Sequence, residues 1–330
     1  MNPGIRARMG RRGLGTGPLG NLFTAIDDRC ARDIVDAAWD RGVRYFDTAP
    51  HYGLGLSERR LGDALRERPR DDYVVSTKVG RLLVPNPGGA AQRDTEGFDV
   101  PADVVRRQDF SAAGVRESWQ RSLDRLRLDA VDVLYLHDPD DHLDTAIGEG
   151  LPALAEMRDA GLVSAVGVGT NSADTATAIV ETGLADVVMI AGRYTLLDRS
   201  ASERLLPAAL AGGVAVVAAG VYNSGILATA DPEPGGRYDY APASPAIVER
   251  ARSLARVCAA HGVDLPRAAR AFALRHPAVV AVALGIGDPS HVADALGDDD
   301  PIPDALWAEL DRLHAAPDVE RRAAPGGVPA

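Results

Sequence analysis

Asp71-Asp72-Tyr73-Val74-Val75-Ser76-Thr77-Lys78-Val79-Gly80 is the stretch on which the fold turns. Residues 73–76 read as a short buried strand, the two aspartates as the turn before it, and Lys78 as its C-terminal end. Lys78 is also the only lysine among 36 basic residues; every other one is arginine. Lysine is a compact point charge whose neutral form is accessible, whereas arginine is planar, bulky and always charged. A chain that otherwise uses arginine for positive charge has kept an ammonium here. Survival by chance is the plain alternative, and the neighbours decide against it. Residues 43–46 form a second such run, leading into Asp47-Thr48-Ala49-Pro50-His51-Tyr52-Gly53, and residues 130–136 form a third, ending in His137. Three strands thus end in ionisable residues, Asp47, Lys78 and His137, where a (β/α)8 TIM barrel places its catalytic groups.

Working outward, apolar runs at 14–17, 43–46, 73–77, 131–136, 164–168, 186–190, 214–218 and 279–283 read as strands. Amphipathic segments at 29–41, 57–68, 113–126, 144–160, 172–181, 202–211 and 246–260 read as helices between them. Strands such as Val214-Ala215-Val216-Val217 are apolar on both faces, as in buried parallel sheets. This alternation predicts an α/β fold of the (β/α)8 type with long active-face loops, and an open doubly wound sheet is the alternative. The chain divides into a basic N-terminal extension (1–12), one barrel (13–316) and a Pro/Gly-rich tail (317–330). Stretches 80–110 and 220–244 read as long irregular loops after strands, either lids and binding loops or plain surface insertions.

A formal net charge of −11 argues against nucleic acid or an acidic membrane as the main partner. No apolar run is long enough to span a bilayer. The arginine-rich start (Arg6, Arg8, Arg11, Arg12) has no apolar segment after it and does not read as a signal peptide. Cys30 and Cys258 fall in expected helices and read as reduced thiols, which fits a cytoplasmic setting. Oligomeric state is not readable. Gly15-Thr16-Gly17-Pro18-Leu19-Gly20 matches G-x-G-x-x-G, but no helix opens on its last glycine, so the Rossmann reading is rejected. His137-Asp138-x-Asp140-Asp141-His142-x-Asp144 has metal-ligand chemistry. It also suits the N-terminal cap of the next helix, and no metal is assigned.

What remains is Asp47, Tyr52, Lys78 and His137, in the segments FDTAPHYG, STKVG and YLHD. With GLGTG at 13–17, VGVGTN and the late glycine segment, the chain resembles the aldo-keto reductase superfamily over nearly its whole length. The resemblance implies a barrel that uses a nicotinamide cofactor without a Rossmann domain. The chemistry follows from the residues. Hydride transfer between an alcohol carbon and nicotinamide needs a proton to leave or join the oxygen. Tyr52 can carry that proton, although the ordinary tyrosine pKa of about 10 is high for the task. A nearby ammonium stabilises tyrosinate, so Lys78 is expected to lower the value, with Asp47 holding Lys78 and His137 orienting the substrate oxygen. Taken singly, Asp47 as an ion-pair partner, Tyr52 as a packing residue and His137 as a core histidine are ordinary alternatives.

Cofactor contacts carry over from the resemblance residue by residue. Thr170-Asn171 matches the pair that binds the nicotinamide carboxamide. Ala191 stands where the family usually has a glutamine, and Ala219-Gly220 where it has an aromatic ring, with Tyr222 displaced by three. Gly15, Thr16, Gly220, Tyr222, Asn223, Ser224, Gly225, Leu227, Gly285, Gly287, Asp288 and His291 complete the expected cofactor set. His51, Phe98 and Tyr222 are expected at the substrate pocket; Phe110, Trp119, Tyr238 and Tyr240 either line it or pack. DTAPHYGLGLSERRLG, AGRYTLLDR and YNSGIL resemble the branch that holds L-fucose dehydrogenases, D-threo-aldose 1-dehydrogenases and pyridoxal 4-dehydrogenase. That likeness implies a sugar or aldehyde substrate oxidised as a cyclic hemiacetal to a lactone. NADP-dependent members place a cation where this chain has Gly287, and Asp288 beside it would repel a 2′-phosphate. Asp288 would then accept a ribose hydroxyl, or else simply cap the helix at Pro289. The expected cofactor is NAD, with NADP the alternative. A general NADPH-dependent carbonyl reductase and a noncatalytic regulatory subunit on the same barrel are the competing functions.

Overall fold

Eight strands pair in parallel and close into a barrel: β1 (Arg12–Gly15), β2 (Tyr45–Asp47), β3 (Val74–Val79), β4 (Val133–His137), β5 (Ala165–Thr170), β6 (Val187–Ala191), β7 (Ala215–Ala219) and β8 (Val279–Gly285). The computed structural model describes residues 1, 3–297 and 301–315. The expected tail at 317–330 lies outside the described residues. Side chains alternate along a strand, and the core divides accordingly. Tyr45, Val74, Val133, Tyr135, Met189 and Val217 fill the barrel interior. Phe46, Val75, Leu134, Leu136, Val166 and Val168 face the helices in the larger outer core. The inward set continues by twos to Asp47, Lys78 and His137, so one period-2 rule carries all three to the same mouth. The register sets Asp47 beside Ser76, Lys78 beside Tyr135 and His137 beside Gly169.

Helices return between strands where the sequence puts them, within a few residues. Asp28–Asp40 is capped by Asp27, Ala112–Leu126 by Ser111 and Pro245–Ala260 by Ser244; each cap side chain accepts a backbone N–H of the first turn. The expected helix at 144–160 is broken into Leu143–Thr145, a π turn at Ala146–Gly150 and Leu151–Asp159. A Cβ on Gly150 would lie 2.6 Å from the Phe110 carbonyl oxygen, so the chain there packs too closely for any other residue. Helices Leu265–Ala273 and Asp304–Ala315 were not anticipated.

Three expectations change. The first strand lies two residues earlier than 14–17, because Thr16 turns its hydroxyl to the Asp47 carbonyl and Pro18–Gly20 forms a 3-10 turn. Stretch 80–110 is not structureless: Arg81–Pro85 and Val104–Gln108 form an antiparallel arm beside the mouth. Within 220–244, Arg237–Tyr238 and Ala241–Pro242 form a small hairpin. Its turn residues Asp239 and Tyr240 have φ of 50° and 65°, strained for a bulky tyrosine. At the opposite end, residues Pro3–Met9 of the basic N-terminal segment form a helix. It buries Ile5 and Met9 against the barrel interior, and Arg8 pairs with Asp132 at 3.0 Å.

Candidate active site

β2, β3 and β4 each deliver one ionisable group to the mouth, and the loop after β2 delivers Tyr52. Lys78 Nζ donates to Asp47 Oδ2 at 2.6 Å, to the Thr48 carbonyl at 3.0 Å and to Tyr52 Oη at 3.0 Å. All three of its protons are therefore used, which the single fork of an arginine could not reproduce in this space. Gly169 makes that space: a Cβ there would touch the Lys78 stem at 3.3 Å. Tyr52 is seated by two glycines in backbone contact. A Cβ on Gly20 would come within 2.6 Å of the Tyr52 carbonyl carbon, and one on Gly53, at φ 61°, within 2.2 Å of the Gly20 oxygen. The G-x-G-x-x-G match thus ends in a glycine that holds the Tyr52 loop, not in a dinucleotide turn. The His137 ring meets Tyr52 edge-on at 5.8 Å.

Burial dominates the site's electrostatics. It works against the Lys78 ammonium, but Asp47 and Tyr52 oppose it and hold Lys78 above its ordinary value. Burial pushes the Tyr52 hydroxyl up, Lys78 pulls it down, and burial wins. The expected lowering by Lys78 is therefore real in direction but outweighed, in part because Asp47 offsets the ammonium. Burial, with Arg81 and Lys78 next, drives His137 well below its ordinary value and leaves it neutral. Its Nε2 lies 3.5 Å from Asp138 Oδ2 and its Nδ1 is buried without a partner among the described residues. Among those residues Nδ1 has no acceptor for a proton, so we assign the proton to Nε2, on the side of the mouth.

Below the tetrad runs a chain of hydroxyls the sequence reading missed. Ser76 Oγ donates to Asp47 Oδ1 at 2.6 Å, Tyr45 Oη lies 3.0 Å from Ser76 Oγ, and Tyr135 Oη lies 3.4 Å from Tyr45 Oη. A carboxylate only accepts and each hydroxyl has one proton. The direction is thereby fixed: Tyr135 donates to Tyr45, Tyr45 to Ser76 and Ser76 to Asp47. These residues were legible in principle, since each lies two positions before a tetrad residue on β2, β3 or β4.

Around the mouth, His51 packs edge-on against Phe98 at 5.1 Å and His137 at 5.3 Å. Burial, then Arg81 and Arg106, keep His51 neutral. Arg81, from the arm after β3, donates to Asp138 Oδ2 at 2.9 Å. Arg106, from the returning strand of the arm, donates to the His51 carbonyl at 2.8 Å. Tyr240 is half exposed; burial, then Tyr52 and Asp138, push its hydroxyl pKa up, and its backbone N–H donates to Ser224 Oγ at 2.8 Å. In the acid-and-histidine run after β4, Asp140 accepts from Thr170 and Thr175, and the His142 ring packs against Phe110 at 5.7 Å.

Comparison with known proteins decides the family. The model of the aldo/keto reductase family matches residues 12–314. The chain belongs to this family. A D-threo-aldose 1-dehydrogenase from a Pseudomonas species is 45% identical over 92% of this chain and 94% of its own length. Pyridoxal 4-dehydrogenase from Microbacterium luteolum is 37% identical over 90% of this chain and 92% of its own. Among solved structures, an aldo-keto reductase from Bacillus halodurans in its holo form superposes with a TM-score of 0.74 at 26% identity, covering 95% of each chain. As an aldo-keto reductase the protein is an oxidoreductase dependent on a nicotinamide cofactor.

The residues expected to hold that cofactor fall into two groups in this aldo-keto reductase. Gly220, Gly225, Gly285, Gly287, Asp288 and His291 are exposed at the strand ends, and Gly15 pairs with Gly285 at the rim. Asn171, Tyr222 and Ser224 are half-buried beside them. Asn223 Oδ1 is buried with no partner among the described residues, a vacancy that a carboxamide or ribose hydroxyl fits. These features fit a dinucleotide. Other members of the expected set are committed elsewhere. Thr16 is fully buried, its hydroxyl shared between the Asp47 carbonyl and Ser57. Leu227 is core. Thr170 Oγ1 is turned to Asp140 and accepts from the Ser172 N–H. Asp288 Oδ1 accepts from the backbone and the hydroxyl of Ser290, which is the capping role weighed against ribose binding. Among the described residues no helix is long and apolar enough to cross a membrane, and Cys30 and Cys258 are free thiols.

Proposed function

We propose that the protein oxidises the anomeric carbon of an aldose, or a similar cyclic hemiacetal, to its lactone, with NAD as acceptor. The observation that carries this reading is the buried chain from Asp47 through Lys78 to Tyr52, beside a neutral His137. Asn171 and the 220–227 segment would hold the nicotinamide, which would supply the hydride acceptor. Tyr52 takes the proton of the anomeric hydroxyl as the carbon–oxygen double bond forms. Lys78 stabilises the tyrosinate, and Asp47 fixes Lys78. His137, with its proton on Nε2, donates to the same oxygen and sets its position. The likeness to an aldose dehydrogenase and to pyridoxal 4-dehydrogenase supports a hemiacetal substrate.

NAD is favoured because 283–290 contains no lysine or arginine and Asp288 remains an exposed carboxylate even while capping. The reduced state of both thiols fits a cytoplasmic setting. The test is reduced-cofactor formation with NAD and NADP in parallel over L-fucose, D-arabinose, L-galactose, L-xylose, D-glucose and pyridoxal. NADH formation from a subset is expected. Turnover of simple aldehydes with NADPH alone would replace this reading by the general reductase. Tyr52→Phe should lower turnover about 100- to 10,000-fold while still binding NAD. Full activity in that variant would remove Tyr52 from the chemistry.

A further inference from the structure

Asp138 is a carboxylate that the proton chemistry does not need. It follows His137 directly, and its backbone turns at φ 44°, with its N–H bonded to the Gly169 carbonyl at 2.9 Å. That turn keeps its side chain at the mouth, 3.5 Å from His137 Nε2 and 2.9 Å from Arg81 Nη2. The Asn171 backbone favours the charged form of the carboxylate. Its negative charge raises the Tyr52 pKa, so it opposes the proton loss that oxidation needs. Burial outweighs Arg81 and pushes its own pKa up to about 6, so it also resists being charged where it sits. A group that works against both the catalytic proton and its own solvation needs another use.

That use follows from its position and its acceptor chemistry. The reacting oxygen belongs between Tyr52 Oη and His137 Nε2, and Asp138 is one hydrogen-bond length further along. A carboxylate offers about four lone-pair sites and no proton. The bond from Arg81 leaves acceptor capacity on it. We propose that Asp138, braced by Arg81, accepts the hydroxyl on the carbon next to the reacting carbon. Asp138 thereby restricts the site to hemiacetals that carry such a hydroxyl, which means aldoses and excludes hemiacetals with a bare or aromatic neighbouring carbon. Tyr240 is near enough to Asp138 and Tyr52 for their charges to raise its pKa, so it belongs to the same side of the mouth. A substrate without the hydroxyl leaves a buried acceptor unpaired, and sites built to bond a hydroxyl discriminate strongly for that reason.

This inference rests on the aldose reading, and the experiment separates the two. kcat/KM is measured with NAD for L-fucose against 2-deoxy-L-fucose, and for D-arabinose against 2-deoxy-D-arabinose, in the wild type and in Asp138→Asn and Asp138→Ala. The wild type should prefer the hydroxylated sugar by about 100-fold or more. In Asp138→Ala that preference should fall at least tenfold, mainly through KM, and Asp138→Asn should lie between. NAD binding followed by quenching of protein fluorescence checks that the variants are folded. A preference ratio equal to that of the wild type in both variants overturns the proposal while the aldose reading stands. A wild type inert towards every aldose overturns the aldose reading itself, and the proposal with it.

Discussion

At Tyr52, burial and Lys78 act in opposite directions on one proton, and the balance predicts the pH dependence. Burial prevails, so the hydroxyl lies above the ordinary value of 10.0 in the protein without its cofactor. A cationic nicotinamide beside it would act with Lys78. Oxidation uses the ionised form, whose fraction falls tenfold per unit below the pKa, so kcat/KM for oxidation should rise about tenfold per pH unit through the neutral range. Reduction uses the protonated form and should be flat there. Ser76→Ala removes the donor on Asp47 Oδ1, so the carboxylate offsets Lys78 more completely and Tyr52 rises further. The oxidation profile should move alkaline by on the order of half a unit, a hydrogen bond's worth of charge stabilisation. A profile that stays in place would mean the hydroxyl chain only fills space. At this scale the sequence was readable where chemistry and position coincide: a lone lysine, an aspartate and a histidine at strand ends. It was less readable where a side chain has two possible partners. Thr16, Thr170 and Asp288 carry the right groups for a cofactor, yet their nearest partners are Asp47, Asp140 and Ser290.

Among the elements, β3 is held in place by a buried ion pair that spans two helices. Glu58, on helix Leu56–Leu65 and fully buried, accepts from Thr77 Oγ1 at 2.8 Å and from Arg125 Nε at 2.5 Å, on helix Ala112–Leu126. Thr77 precedes Lys78, so the helix layer fixes the strand that carries the ammonium. Removing one partner of a buried pair leaves the other charged and desolvated. Glu58→Ala should destabilise the fold by about 3 kcal/mol, read as a shift of the urea midpoint, and Glu58→Gln, which keeps hydrogen-bonding atoms, by less. An unchanged midpoint in Glu58→Ala would show the pair to be dispensable. The strands were legible because both-face burial leaves apolar runs, and the capped helices because Asp27, Ser111 and Ser244 precede amphipathic patterns. The arm of Arg81–Pro85 and Val104–Gln108 was not. Its strands are half-buried or exposed at all but Leu82, and Arg106, Arg107 and Gln108 follow one another in one of them, so no alternating apolar signal marks them. The pairing of Leu22 with Phe98, and the packing of Phe98 on Leu54 and Val100, stabilise its far end through contacts distant in sequence.

Over the whole molecule, stability and chemistry occupy opposite ends of one barrel. The mouth holds Asp47, Lys78 and His137; the other end is closed by helix Pro3–Met9. Away from the mouth the barrel interior ends in an apolar ring that includes Val74, Val133, Ala165 and Val187. Ile5 and Met9 cover that ring, 5% and 1% exposed, and Arg8 anchors the helix to Asp132, which also accepts from Arg70 and the Val75 N–H. Deleting residues 1–10 would return two large side chains and the ring beneath them to water. At about 2 kcal/mol for each buried side chain, the loss is roughly 4 kcal/mol. For a domain of this size that lowers Tm by roughly 6 °C. Asp132 keeps two of its partners, and Arg11, whose carbonyl bonds the Val282 N–H, stays in place, so β1 still closes on β8. The truncated protein should therefore melt earlier but turn over at 25 °C within about twofold of the full chain, as expected when barrel stability and catalysis lie on separate faces. Thermal melting and initial rates on the same preparation decide this. A lost rate at unchanged Tm would place the N-terminal helix in communication with the mouth, through the Tyr135–Tyr45–Ser76 chain that links the barrel interior to Asp47.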